Sequence, residues 1–343
     1  MKQNMLPLLV DGRISRHQWD GMPEYAMEEL RNSIFTHYRQ AGFPYYKMSL
    51  NEKLENFNKL KLFLTKKIDS IITGNTIGMT MHGLALAWSY FPHSWEVRCG
   101  KMRTPMEVYL NDELFMQAIV RRIKRGTYIS MSGIRKALRS HTGTQGVSNF
   151  RPTAAAAIYK KFCEPNSVVW DMSCGYGGRL LGAMASGVVG KYIGTEPCRK
   201  TFDGLIGMGK ELPHDLRCDI NMVGSENFIP KEVVDLCFTS PPYFDTEKYS
   251  DENTQSYMKY SSNEEWNNNF LGETIKSCMK CLKPKGFMVV NIANVKTHKT
   301  LESDFLRMSI DIGFKHINTM RLSLSSISSG GYKYEPVFVM QKP

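Results

Sequence analysis

From residue 167 onward, short apolar runs alternate with segments of helical spacing, and this alternation constrains the fold more than any other feature of the chain. Residues 167–170, 192–194, 220–223, 233–238, 287–292, 315–323 and 335–341 read as strands. Between them, a segment starting near Gly178 and segments 199–210, 263–282 and 301–312 place apolar residues three and four apart, the period of a buried helix face. Strands separated by helices of this length pair in parallel, with the helices covering both faces of the sheet. The fold class expected is therefore α/β: a Rossmann-like, mostly parallel seven-stranded sheet, with the last two strands supplying an antiparallel edge.

The first half shows no such alternation. Residues 24–38, 49–72, 112–125 and 130–140 read as helices, divided by breakers such as Gly42-Phe43-Pro44. A length of 343 residues suits about two domains. The expected division is a mainly helical domain over residues 1–145 and an α/β domain over 146–343. Charge divides the chain in the same way. Residues 1–150 hold 21 basic against 12 acidic side chains, whereas the remainder holds 23 against 21. A surplus on one half favours a polyanionic partner for that half. It is densest at Arg121, Arg122, Lys124, Arg125, Arg135, Lys136 and Arg139, seven basic residues in nineteen with no acid among them. Ser130 can cap the second of two helices there. A helix-turn-helix reader of DNA and a charged, solvated helix pair both fit this stretch.

Other classes are excluded or receive little support. No run approaches the ~18–20 apolar residues of a membrane span, and the amino terminus lacks a secretory pattern, so a soluble, cytoplasmic protein with no membrane partner is expected. Of eight cysteines only Cys278 and Cys281 have ligand spacing. A zinc site takes four ligands, so no metal is assigned, and free thiols fit a reducing compartment.

Two segments carry chemistry. Asp171-Met-Ser-Cys-Gly-Tyr-Gly-Gly178 joins a strand to a helix, where glycines let the backbone turn sharply and approach a ligand closely. Glu196 closes the next strand, where a carboxylate can accept from both hydroxyls of a ribose. Ser240-Pro241-Pro242-Tyr243 leaves another strand at the carboxyl edge, where ligands bind in open α/β sheets. Prolines remove donors and leave carbonyl acceptors. Such acceptors suit the amino group of a nucleobase, whose lone pair is delocalised into the ring until its N–H groups are held.

With both segments in this order, residues 146–343 resemble the catalytic domain of the amino-group DNA methyltransferases, which methylate cytosine at N4 or adenine at N6. The resemblance rests on S-P-P-Y at Ser240–Tyr243 following a D-x-x-x-G-x-G-G turn by about 70 residues, and on Asn149-Phe150-Arg151-Pro152 before the first strand. It implies S-adenosylmethionine as cofactor, bound by Phe150, Arg151, Pro152, Asp171, Ser173, Gly175, Gly177, Glu196, Pro197, Ser225 and Ser240. It further implies catalysis at Ser240, Pro241, Pro242 and Tyr243 on a base flipped out of the duplex, and a loop over residues 245–260 that closes on the nucleotide. Ser225 stands where the family usually has aspartate. Serine at the first S-P-P-Y position leans toward cytosine N4 over adenine N6. Double-stranded DNA is the expected partner, with a second copy of the chain and a cognate restriction nuclease as further candidates. The sheet pattern runs to within a few residues of the end, so target recognition is expected in the basic first half, through the seven basic residues above. An RNA base methyltransferase of the same fold, and a DNA-binding protein with an inactive methyltransferase half, stay open as alternatives.

Overall fold

The computed structural model describes residues 13–78, 80–126, 128–326 and 331–343. Two compact units are present, one from Met1–Lys47 with Pro92–Val147 and one from Met48–Phe91 with Ser148–Pro343. The amino-terminal half is thus not a single domain: residues 48–91 belong to the second unit.

In the first unit the chain forms helices Glu24–Ala41, Pro105–Leu110, Asp112–Arg125 and Met131–Arg139. Each of the last three starts at a side chain that accepts a free backbone N–H: Thr104 from Glu107, Asn111 from Leu114 and Ser130 from Gly133. Their apolar faces bury Leu30, Ile34, Tyr38, Phe115, Ile119 and Leu138 in one core. A two-residue strand, Tyr128–Ile129, separates the last two helices and pairs antiparallel with Ile14–Ser15.

The second unit is built on a nine-stranded sheet. In chain order its strands are β1 (Ile72–Thr73), β2 (Thr76–Ile77), β3 (Ser167–Asp171), β4 (Val189–Thr195), β5 (Arg217–Asn221), β6 (Val234–Thr239), β7 (Leu282–Asn291), β8 (Lys315–Ser326) and β9 (Tyr332–Gln341). Their spatial order is β1-β2-β8-β9-β7-β6-β3-β4-β5. All seven expected strands are present; β1 and β2 extend the edge beyond them. Strands β3 to β7 run parallel to one another, and β9 returns antiparallel between β7 and β8. From β3 the chain winds outward through β4 and β5, then crosses back to β6 on the other side of β3. This reversal between β3 and β6 opens a crevice at their carboxyl ends, the binding position of doubly wound sheets.

Helices Gly272–Cys281 and Leu301–Ile312 contribute to a buried core with Trp170, Val234, Met288, Phe305 and Phe338. Cys278 and Cys281 are part of that core, and Cys281 lies 3.8 Å from Cys237. Among the described residues no group of three or more His, Cys, Asp or Glu could hold a metal ion, and no helix is long and apolar enough to cross a membrane. Helix Gly178–Ser186 lies tightly on helix Pro152–Phe162: a Cβ at Gly182 would sit 2.7 Å from the Pro152 carbonyl oxygen. That close approach fixes the segment before Pro152 beside the glycine turn.

Candidate active site

The carboxyl end of β3 is tied down by one carboxylate. Asp171 is fully buried. Its Oδ2 accepts from Arg179 Nε (2.8 Å) and Tyr192 Oη (2.6 Å), and its Oδ1 accepts from Thr239 Oγ1 (2.8 Å) and the Ser173 N–H (3.2 Å). Thr239 ends β6, so this network clamps the two strands on either side of the switch point. Asp171 is an internal tie, with its acceptor capacity committed to the protein itself.

The glycine turn then opens a first cleft. Gly175 has φ of 51°, and its N–H donates to Glu196 Oε2 at 3.0 Å. The other carboxylate oxygen, Oε1, accepts from the Cys198 N–H at 3.0 Å. Burial pushes the Glu196 carboxyl up to about 7, although these two N–H groups hold it down. Ser173, Gly175, Glu196, Pro197, Ser225 and Ser240 line this cleft, as do Glu226 and Gln255. Ser225 is bonded to Thr274 Oγ1 at 2.8 Å. Glu226 takes Lys259 on Oε1 at 2.6 Å, but among the described residues its buried Oε2 has no partner, and neither has the buried Gln255 Nε2. A Cβ at Gly224 would lie 2.2 Å from Glu226 Oε2, so a larger residue there would push that carboxylate out of its present position. Glu226 and Gln255 thus line the cleft while one acceptor atom and one donor atom of theirs lie covered and unpaired beneath its surface. Buried polar groups cost about 1–3 kcal/mol each when unpaired, and a ligand with both kinds of polar edge would remove that cost.

A second cavity adjoins the first. Phe150, Arg151, Ser240, Pro241, Tyr243, Asn291 and Glu335 are among its lining residues. Ser240 and Gly175 line both spaces. Ser240 Oγ donates to Asn291 Oδ1 at 3.2 Å, which commits its hydrogen and leaves its lone pairs as acceptors. Tyr243 Oη donates to the Asn291 carbonyl and to Glu335 Oε2, both at 3.4 Å. Arg151 donates to the carbonyls of Ser323 and Leu324. Phe150 packs edge-on to Phe238, with centroids 5.4 Å apart.

Ser173, Gly175, Glu196, Pro197 and Ser225 thus meet at the first cleft, and Ser240 joins it to the second. Phe150 and Arg151 lie in the second cavity. Three expected cofactor residues line neither space. Pro152 is the buried first residue of a helix, Asp171 is the tie described above, and a Cβ at Gly177 would press on Met208 and Phe91. Pro242 lines the first cleft, whereas Pro241 and Tyr243 line the second. Glu226, Gln255, Asn291 and Glu335 escaped sequence reasoning. Their signal was weak: Glu226 merely follows Ser225, Gln255 lies unmarked within the 245–260 loop, and Asn291 and Glu335 lie far along the chain from either motif.

Residues 234–343 match the family model of the N6/N4 type described as DNA methylase. This stretch of the chain is similar to the amino-group DNA methylases. It spans β6 to the end, and so includes Ser240–Tyr243, Asn291 and Glu335. No curated protein sequence is a significant match. Solved structures with detectable likeness include a methyltransferase from Pyrococcus furiosus, at 14% identity, covering 56% of this chain and 82% of that one with a TM-score of 0.38. TrmN from Thermus thermophilus is 16% identical, covering 56% of this chain and 49% of that one, with a TM-score of 0.39. A TehB-like methyltransferase from Corynebacterium glutamicum is 14% identical, covering 61% and 95%, with a TM-score of 0.38.

The basic stretch lies in the first unit, and its charges are unequally free. Arg121 donates to Ser140 O and Thr142 Oγ1, and Arg122 to Tyr128 O. Arg135 donates to Pro44 O at 2.9 Å and stacks on Tyr46, and Arg139 donates to Val147 O. Lys124, Arg125 and Lys136 are exposed.

Proposed function

We propose that the protein transfers a methyl group from S-adenosylmethionine to the exocyclic amine of a flipped base in DNA. The observation that carries this reading is the meeting of two cavities at Ser240, one lined by Glu196, Glu226 and Gln255 among apolar neighbours and one lined by Ser240-Pro241 and Tyr243. The first cleft fits the cofactor: Glu196 stands ready for the ribose hydroxyls, while Glu226 Oε2 and Gln255 Nε2 would pair with the polar edge of adenine. When bound, S-adenosylmethionine supplies an electrophilic methyl group on a sulfonium.

The chain's own residues handle the amine. Ser240 Oγ, with its hydrogen spent on Asn291, accepts one N–H, and the Pro241 carbonyl accepts the other. Both bonds weaken conjugation of the amine lone pair with the ring and aim it at the first cleft. Tyr243, fixed through its hydroxyl, offers its ring to the base, and stacking on an aromatic is worth about 1–3 kcal/mol. Neither acceptor is a strong base, so the site selects an amine by geometry, and the surplus proton on the methylated amine passes to solvent after the sulfur has left as a neutral thioether. Serine at position 240 favours cytosine N4 over adenine N6. The exposed Lys124, Arg125 and Lys136 are the proposed phosphate contacts among the basic residues.

Methylation-aware sequencing of host DNA with and without the gene tests this reading. A gene-dependent N4-methylcytosine at a defined sequence is expected. N6-methyladenine there would overturn the base preference, and no gene-dependent mark on DNA would overturn the function.

A further inference from the structure

Glu335 lies on β9, between β7 and β8, and its side chain lines the second cavity. It receives two donors on one oxygen: Tyr243 Oη at 3.4 Å and Asn291 Nδ2 at 3.3 Å both fall on Oε2. Among the described residues, none donates to Oε1 and no cation stands within ion-pair distance of the carboxyl. Asn291 also donates to the Pro336 carbonyl at 3.0 Å and takes the Ser240 hydroxyl, so it links the acceptor serine to Glu335 through one amide. This carboxyl has one oxygen fixed by the protein and one left over, in the cavity that takes the base.

We infer that Glu335 reads the target base, offering a protonated Oε1 to the ring nitrogen that lies beside the exocyclic amine. The inference rests on the reading that this site methylates a nucleobase amine. In cytosine and adenine alike, the ring atom next to the amine-bearing carbon is an acceptor nitrogen. Ser240 and Pro241 accept from the amine while Glu335 donates to its neighbour, so the pair matches an amidine edge. Guanine and thymine carry N–H at the equivalent ring position and would set donor against donor. Burial raises the Glu335 carboxyl above its usual range, against the Asn291 and Tyr243 hydrogen bonds and the positive Arg151, with Glu302 adding to the rise. Arg179 and Glu247 line the same cavity. A base that displaces water from Oε1 favours the neutral form further.

The test uses the full-length protein with S-adenosylmethionine and DNA from a methylation-deficient host, counting N4-methylcytosine and N6-methyladenine by nucleoside mass spectrometry. Glu335→Ala should lower kcat/KM for DNA by about 100-fold, and Glu335→Gln, whose amide carries a permanent donor, by less than about tenfold. At saturating cofactor, wild-type turnover should fall as pH rises while Glu335→Gln stays flat. Calorimetric cofactor binding within a few-fold of wild type checks folding of both variants. If Glu335→Ala fails that check, the two pH profiles decide. Equal loss in both variants, or parallel pH profiles for wild type and Glu335→Gln, would mean that the ionised carboxylate acts and would overturn the inference. Near-normal activity of Glu335→Ala would also overturn it. A wild-type protein that makes neither methylated base removes the functional reading and this inference together.

Discussion

The sheet-edge site and the basic stretch 121–139 are both crowded with polar side chains, but they use hydrogen-bonding capacity in opposite ways. In the stretch, the guanidinium groups of Arg121, Arg122, Arg135 and Arg139 are spent on backbone carbonyls of their own unit. At the sheet edge, capacity is left over: Glu226 Oε2 and Gln255 Nε2 are buried without partners among the described residues. Charge density in a sequence therefore marks where a partner could act, whereas unspent capacity in the fold marks where one is awaited.

The strongest blow to this comparison falls on Tyr243. Tyr243→Ala should reduce methyl transfer by about 10²- to 10³-fold, combining lost stacking with lost positioning, with cofactor affinity held within a few-fold. Near-normal turnover would remove the ring from the site. Next is Glu196→Ala, which should weaken cofactor binding by about 1.5–3 kcal/mol, the value of hydrogen bonds to a charged group. Unchanged calorimetric affinity would sink the ribose assignment.

Arginine in the basic stretch should behave as structure. Arg135→Ala should destabilise the protein by about 1.5–3 kcal/mol, since two carbonyls and the Tyr46 face lose their partner, while the exposed Lys136→Ala stays within about 0.5 kcal/mol. Thermal unfolding that ranks them the other way would erase the contrast.

The Glu196 carboxyl makes the site sensitive to pH. On the proposed ribose role its ionised form would accept the hydroxyls and its protonated form would not accept both, so cofactor affinity should rise with pH through about 7. Between pH 6 and 8 a gain of roughly tenfold is expected, with proton uptake or release tracked by calorimetry in buffers of different ionisation heat. A flat profile would contradict the raised carboxyl. The mildest effect is on salt dependence. Replacing Lys124, Arg125 and Lys136 by alanine should flatten the slope of log DNA affinity against log salt by about 0.9 for each phosphate that no longer meets a cation. An unchanged slope would return all seven basic residues to the structural side.

Much of this is legible in the chain before folding. The central strands β3, β4, β6 and β7 follow from apolar runs, because a parallel strand covered on both faces is apolar throughout, whereas the largely exposed β5 overlaps its expected run only at Ile220 and Asn221. The Gly175 turn, Glu196 and Ser240–Tyr243 stand out because each sits at a strand end, a place fixed by local sequence. Other parts depend on pairing that no local pattern records. Two-residue strands such as β1 and β2 carry no alternation, so the attachment of residues 48–91 to the sheet stays hidden. Asn291 reaches Glu335 only because β7 and β9 pair antiparallel, which sets Asn291 opposite Val337 two residues from Glu335. Likewise, whether Arg139 meets a phosphate or the Val147 carbonyl is decided by tertiary structure, and the spacing of arginines says nothing of it.

The Asp171 tie also bears on how such a chain can drift. Arg179, Tyr192, Thr239 and the Ser173 amide converge directly on one carboxylate. Losing Arg179 alone would strand a buried charge, at a cost of about 3–5 kcal/mol. Losing Asp171 alone would strand the guanidinium. Viable descendants must then change these positions together, through intermediates rescued elsewhere, or not at all. The four side chains form one heritable unit scattered across 69 residues of sequence, from Asp171 to Thr239, and their substitutions should appear in relatives as correlated sets.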